Sequence, residues 1–342
     1  MSSRKLFSRS VGAISISIVV ASCASIPSSI PIIGSPEPIR NSISGREGVD
    51  GPVLAVKVDD TQAAHPQVGL EDADLVYIEQ VEGGLTRLAA IFSSKIPTRV
   101  GPVRSARISD IDILAQYGHI AFAYSGAQQK LLPVIAAANL QDMGAQRQSP
   151  TIYNTDPNRR SPVAMILRAD LLMRKLVDDG AQVDISKSIG WSFSEKFETG
   201  TAISQAKVSW PASSYTVQWS EIEKRWLLYT RDTADLSADG LHLGPTTFVI
   251  QIVRILPSIY GDKFGGVTPF SETVGSGTGY ILRDGKYLAA KWTRPTPLDG
   301  TTWMDLEGNE IPFAPGQIWI ALTDKQPIFT PVTADASPTS SK

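Results

Sequence analysis

The chain has 342 residues, with 32 Lys and Arg against 34 Asp and Glu and a formal net charge of −2, a balance that excludes binding of nucleic acid or another polyanion through a globally basic surface. With 42% hydrophobic and 19% charged residues it is globular in composition and long enough for two domains. A single cysteine, Cys23, excludes a disulfide framework.

The N-terminus carries Arg4, Lys5 and Arg9, then an apolar stretch from about Val11 to Val20, then Ala21-Ser22-Cys23. A basic start, a short apolar segment and small residues before a cleavage point describe a secretory leader, whereas a spanning helix needs ~20 apolar residues. The box ending in Cys reads as a lipoprotein signal peptide over residues 1–22, with Cys23 as the acylated new N-terminus, carrying chains such as palmitate. Buried acyl chains contribute ~0.8 kcal/mol per methylene. The expected location is therefore extracytoplasmic, lipid-anchored on the outer face of the bacterial cytoplasmic membrane, and the membrane is the first expected partner. Acylation leaves no thiol for catalysis. Loss of the leader also takes the formal charge to about −5, so recognition of an anion needs a local basic patch. Residues 23–50, broken by Pro27, Pro31, Pro36 and Pro38, read as a tether.

The segment 51–188 is expected to be an α/β domain. Val53–Val58 is a short apolar run that fits a buried strand. Strands at 74–81 and 86–92 flank Glu82-Gly83-Gly84 and could pair as a hairpin or lie in one sheet. Ser109 is placed to cap a helix reaching about Tyr117, with Asp110 and Asp112 in its first turn. A strand at 119–124, a helix over 127–139 with Leu131, Val134, Ile135 and Ala138 on one face, and a helix over 163–178 complete the segment. The segment 189–325 is expected to be a smaller β-rich domain: 215–219 alternates, 225–230 answers it, 246–256 is β-rich, and 280–292 contains the hairpin signal Asp284-Gly285. Strand 318–322 would close it, and 326–342 reads as a polar tail.

The chemistry-bearing stretch is Lys95 to Arg107. Lys95, Arg99, Arg104 and Arg107 stand there without an acid, in a loop broken by Gly101 and Pro102 just before a helix. Guanidinium groups bind phosphate or carboxylate bidentately, and helix N-terminal amides add donors for the same anion. Arg104 and Arg107 are the leading ligand contacts, with Arg87, Arg99 and Ser105 secondary. The competing reading has Arg104 and Arg107 buried and paired with Glu79, Glu82 or Asp74. Asp59, Asp60 and Glu82 are candidates for an acid, a base or a divalent-cation ligand. No other cofactor is indicated. Neither a His-Glu-x-x-His motif, a Walker loop nor a nucleophile elbow occurs, and Ser204-Gln-Ala-Lys207 lacks its companion motifs. Gly275-Ser-Gly-Thr-Gly279 reads as a turn or bulge rather than a phosphate cradle, because no helix follows it. All seven Trp lie in the C-terminal half, where core packing competes with stacking on sugars.

Val81-Glu-Gly-Gly-Leu-Thr-Arg87, Val100-Gly-Pro-Val-Arg-Ser-Ala-Arg107, Val274 to Tyr280, Arg283-Asp-Gly-Lys286 and Pro315 to Ile320 together resemble the YerB-like lipoproteins, over about residues 52–322. The resemblance implies a pair of domains of unknown function in lipoproteins or membrane-attached proteins of Gram-positive envelopes. This chain departs from the family at two places. It has Asp59-Asp60 where Asp-Asn is usual, and Ser161-Pro-Val-Ala164 where Ala-Pro-His-Asn is usual, which removes a His and an Asn from any acid–base role. The order of strand, Arg-rich loop and helix also resembles, at fold level only, the LytR-CpsA-Psr transferases.

The expected function is that of a cell-envelope lipoprotein, non-enzymatic, binding an anionic glycopolymer, lipid-linked phosphate or peptidoglycan fragment through the Arg-rich loop. The alternatives are a phosphoryl or glycopolymer transferase using the same arginines, and a structural lipoprotein docking onto another envelope protein.

Overall fold

A computed structural model describes residues 38–262 and 265–332. The expected signal peptide, Cys23, most of the tether and the tail from residue 333 lie outside those residues. Folded chain begins before Asp50: Asn41, Ile43 and Ser44 are buried, and Asn41 Nδ2 donates to Ser93 Oγ (3.2 Å) and Ser186 Oγ (3.1 Å).

The apolar run at Val53 forms β1 (Leu54–Asp59), buried at all six residues. β2 (Leu75–Gln80) and β3 (Thr86–Phe92) make the expected antiparallel hairpin around the Glu82–Gly84 turn. Gly83 and Gly84 hold φ of 69° and 73°, where a side chain is strained, and a Cβ on Gly84 would lie 2.5 Å from Pro211 Cβ. α1 (Ser109–Ala115) and β4 (Ile120–Ala123) follow as the sequence predicts. The later helices are shorter than expected. Of 127–139 only α2 (Leu132–Ala137) is α-helical, with Pro133 in its first turn, and β5 (Leu140–Asp142) follows. β6 (Tyr153–Thr155) and β7 (Met165–Leu167) pair with each other, which leaves α3 at Ala169–Asp178. Strand prevails at 165–167 because Leu167 and Val100 exchange backbone hydrogen bonds, 2.9 Å in both directions, satisfying polar groups that a helix there would leave unpaired.

The rest is strand: β8 (Thr201–Ser209), β9 (Ser214–Ser220), β10 (Arg225–Thr230), β11 (Thr233–Ala234), β12 (Thr247–Ile252), β13 (Arg254–Gly261), β14 (Val267–Glu272), β15 (Gly275–Arg283), β16 (Lys286–Arg294), β17 (Thr302–Met304), β18 (Ile318–Thr323) and β19 (Ile328–Pro331). The stretch 246–256 thus divides at Val253 between β12 and β13. β13 and β14 form a separate hairpin, as do β6 and β7, and the other fifteen strands make one mixed sheet. Its order is β11-β10-β9-β8-β16-β15-β12-β18-β2-β3-β1-β4-β5, with β17 on β16 and β19 on β8. β18 lies parallel between β12 and β2 (Thr247↔Ile318, Ile318↔Leu75), so the two halves of the chain share a sheet. The protein is mostly β with a few short helices, and the α/β expectation for 51–188 overstates the helix.

Both faces of the central strands are covered. Val56, Val58, Ile78, Leu88 and Trp319 belong to one apolar cluster, and Ala55, Tyr77, Ala89, Ile113 and Trp303 to the other, which is why these strands read as continuous apolar runs. Asp284 and Gly285 turn β15 into β16 with φ of 51° and 70°, as the sequence predicts. Gly275–Gly279 is neither turn nor bulge. It opens β15 and stays in register with β16, Gly277 opposite Trp292, and a Cβ on Gly277 would lie 2.7 Å from Trp292 Nε1. Small residues are used here to seat an indole. Apart from half-buried Trp219, the tryptophans are buried.

Candidate functional site

β1 and β4 are parallel neighbours (Leu54↔Ala121, Val56↔Ala123), and the Arg-rich loop lies across their carboxyl ends, where open sheets offer crevices. Val103 bridges to Val58. Arg104 N donates to Lys57 O (2.8 Å), Ser125 N to Arg104 O (2.9 Å) and Ala106 N to Gly126 O (2.9 Å). Beside the loop opens a cleft of about 640 Å³ whose lining includes Asp59, Glu82, Arg87, Arg104, Ser105 and Arg107. Six of the residues singled out from sequence therefore meet at one place. Two do not: Arg99 is exposed elsewhere on the loop, and Asp60 lines a different cavity.

The three guanidiniums differ in how they are held. Arg107 donates from Nε (3.0 Å) and Nη2 (2.7 Å) to Glu82 Oε2, and from Nη1 to the carbonyls of Ala106 (3.0 Å) and Ser105 (3.3 Å). Burial works against the Glu82 charge, but Arg107 and a hydrogen bond from Thr268 hold its pKa below the ordinary value. Arg104 Nε donates to Asp59 Oδ2 (2.5 Å), an oxygen pair further fixed by Thr61, whose N (2.7 Å) and Oγ1 (2.5 Å) donate to Asp59 Oδ1. Arg87 donates from Nη1 to the Ser105 carbonyl (2.9 Å) and, among the described residues, makes no ion pair within 4.0 Å. Burial, and then the charges of Arg107 and Arg104, push its pKa down to about 10. The expected contribution of helix N-terminal amides is absent. α1 has seven residues, and the Arg107 amide is taken by Asp110 Oδ2 (2.7 Å).

Behind the cleft is a charged layer that sequence reasoning missed. On one face of the sheet Asp59, Arg87 and Glu79 form a cross-strand row. In the next row Lys57 Nζ bonds Glu79 Oε1 and Asp110 Oδ1 (2.7 Å), with all three side chains fully buried. Burial, then the Asp110 charge, raise the Glu79 pKa to about 7 against the opposing pull of Lys57. Glu79 Oε2 has no hydrogen-bond partner among the described residues. The signal was visible in the sequence: a lysine inside a fully apolar strand has to be paired with an acid brought to it by the fold.

Asp60 follows Asp59 but faces the other way, since successive residues of extended chain alternate. Its Oδ1 accepts from Tyr215 OH (2.5 Å) and its Oδ2 from Thr86 Oγ1 (2.5 Å). His65 sits between Asp60 (3.3 Å) and Asp235 (2.8 Å). Burial disfavours its proton, but Asp235 and Asp60 outweigh burial and raise its pKa to about 10. These groups belong to a second cavity, of about 930 Å³. Asp59, Asp60 and Glu82 thus do not converge on one point.

The profile of the DUF3048 N-terminal domain, a protein of unknown function, matches residues 42–182, and that of the DUF3048 C-terminal domain matches 206–320. The chain belongs to this family. It is 23% identical over 280 residues to the candidate lipoprotein YerB of Bacillus subtilis (strain 168), spanning 78% of this chain and 80% of that one. The crystal structure of YerB from Bacillus subtilis superposes with a TM-score of 0.71 at 18% identity, covering 85% of this chain and 99% of the crystallised chain, so the DUF3048 fold is common to both. The Arg-loop cleft lies wholly within the two family segments, and Lys57, Glu79 and Asp110 behind it come from the N-terminal one. No helix among the described residues is long and apolar enough to cross a membrane.

Proposed function

We propose that this protein is an envelope lipoprotein, anchored through Cys23 to the outer face of the bacterial cytoplasmic membrane, that binds an anionic envelope ligand in the Arg-loop cleft. The leader and Cys23, together with the relative named as a candidate lipoprotein, support the anchor. The observation that carries the ligand reading is Arg87, a guanidinium lining the cleft with one backbone carbonyl as its hydrogen-bond partner and two further arginines beside it. An incoming phosphate or carboxylate would supply the charge-assisted bonds that Arg87 lacks. Asp59 and Glu82 are each engaged by an arginine, which favours binding over a transferase that needs a free carboxylate.

The test is calorimetric titration of the detergent-solubilised full chain with inorganic phosphate and with a phosphate-bearing glycopolymer, alongside Arg87→Ala. Saturable binding that weakens about ten- to hundredfold in the variant supports the reading, as expected for a charge-assisted contact of ~1.5–3 kcal/mol. Wild-type affinity in Arg87→Ala sinks it.

A further inference from the structure

The Arg-loop cleft and the 930 Å³ cavity are neighbours: Thr61 and Leu85 line both. Asp59 and Asp60, side by side in the chain, belong one to each compartment. The compartments differ in their buried charge. One offers guanidiniums. The other is floored by Asp60 and Asp235 with a single His65 between them, so that even with the imidazole protonated the group carries a net negative charge. Asp235 is 2% exposed and its Oδ2 has no hydrogen-bond partner among the described residues. Around that floor stand the hydroxyl groups of Ser213, Ser214, Thr230 and Thr233, apolar faces that include Leu85, Leu236, Ala63 and Ala212, and the exposed Arg231, which donates to Gln62 Oε1 (2.5 Å). Buried carboxylate acceptors and hydroxyls set beside apolar faces suit a moiety rich in hydroxyl donors, and Asp235 Oδ2 is an acceptor such a donor would satisfy.

We infer that the two compartments form one bipartite site for a sugar phosphate, the phosphate seated at Arg87 and Arg104 and the sugar hydroxyls in the His65 cavity. This rests on the anion-binding reading above and narrows it to phosphorylated glycans. A volume of about 930 Å³ is ample for a monosaccharide or two, within the ordinary range of small-molecule sites.

The experiment compares inorganic phosphate, glucose, glucose 1-phosphate and octyl phosphate as ligands of the detergent-solubilised full chain, and repeats the set with Ala212→Trp and Ala63→Trp. Both alanines line the cavity and are exposed, so an indole at either position narrows it without entering the core. Glucose 1-phosphate is expected to bind about tenfold tighter than inorganic phosphate or octyl phosphate, the gain of one or two added hydrogen bonds. That gain should vanish in either Trp variant while inorganic phosphate binding is unchanged. Octyl phosphate binding as tightly as glucose 1-phosphate, or a sugar gain that survives both indoles, overturns the bipartite site and leaves the anion cleft standing. Failure of every phosphate probe overturns the anion cleft and the bipartite site together.

Discussion

Arg87 and Arg107 donate to the same acceptor, the carbonyl of Ser105, from Nη1 atoms at 2.9 and 3.3 Å. Two cations meet there, but among the described residues only Arg107 has a carboxylate of its own. The pair therefore separates a structural arginine from one available to a ligand. Arg107→Ala leaves Glu82, 9% exposed, without its counter-charge and is expected to destabilise the protein by ~3–5 kcal/mol. Arg87→Ala removes one hydrogen bond and a repulsion, and should shift stability by no more than about 1 kcal/mol. Urea denaturation of both variants decides the matter, and equal losses would refute the division of labour.

Lys57 neutralises two buried carboxylates at once. Lys57→Met keeps the length of the side chain but strands Glu79 and Asp110 in the interior, at a cost of ~3–5 kcal/mol. The same urea titration reads it, and a loss under about 1 kcal/mol would mean that the strand face is wetter than its burial indicates.

Glu79 gives the first of two pH windows. Its folded pKa, about 7, lies above the ordinary 4.5, so the folded state binds the proton more tightly than the unfolded chain. The contribution is fully present below pH ~4.5 and is lost as pH rises towards 7. Glu79→Gln, neutral throughout, should gain on the parent over that interval by on the order of 1–3 kcal/mol. A difference between the two proteins that stays flat from pH 4.5 to 7 would show that Glu79 is ionised in both states.

His65 gives the second window. A folded pKa near 10 against 6.5 in the free side chain means stability that is complete below pH ~6.5 and falls as pH rises through 10. His65→Gln is expected to be less stable than the parent at pH 6 by a few kcal/mol, with the gap closing towards pH 10. Melting curves at pH 6, 8 and 10 measure this, and a constant gap would remove the two ion pairs from the account.

Gly279 tests the seating of the sheet. A Cβ there would stand 2.4 Å from the Ile250 carbonyl and 3.0 Å from the Trp303 ring, neither of which is a flexible chain end. Gly279→Ala should cost about 1–3 kcal/mol through overpacking. Gly190→Ala, where nothing lies within 4 Å of the added atom, pays only for its positive φ and serves as the comparison.

Local features were legible in the sequence because their cause is local. The apolar run at Val53, the alternation at 215–219 and the Asp284-Gly285 turn each follow from a few adjacent residues, and so does the crowding of cations between Lys95 and Arg107. That crowding placed Arg104, Ser105 and Arg107 at one site, and the neighbouring hairpin brought Glu82 and Arg87 to it. Overlong helices were read at 127–139 and 163–178 because helical spacing alone does not show a competing strand partner, which for Leu167 is Val100.

What only the tertiary structure decided is which charge faces which. Arg104 pairs with Asp59, an acid outside the set weighed from sequence, because the loop crosses the end of β1. Asp74, weighed as a partner, instead accepts from the amides of Ser93 (2.7 Å) and Ser94 (2.8 Å). Asp59 and Asp60, adjacent in the chain, part to opposite compartments by the alternation of an extended backbone, and His65 finds Asp235 across 170 residues. Sequence determined the kinds of groups and their local crowding; strand register and the insertion of β18 beside β2 chose their partners, since in a sheet neighbours are set by pairing and not by distance along the chain.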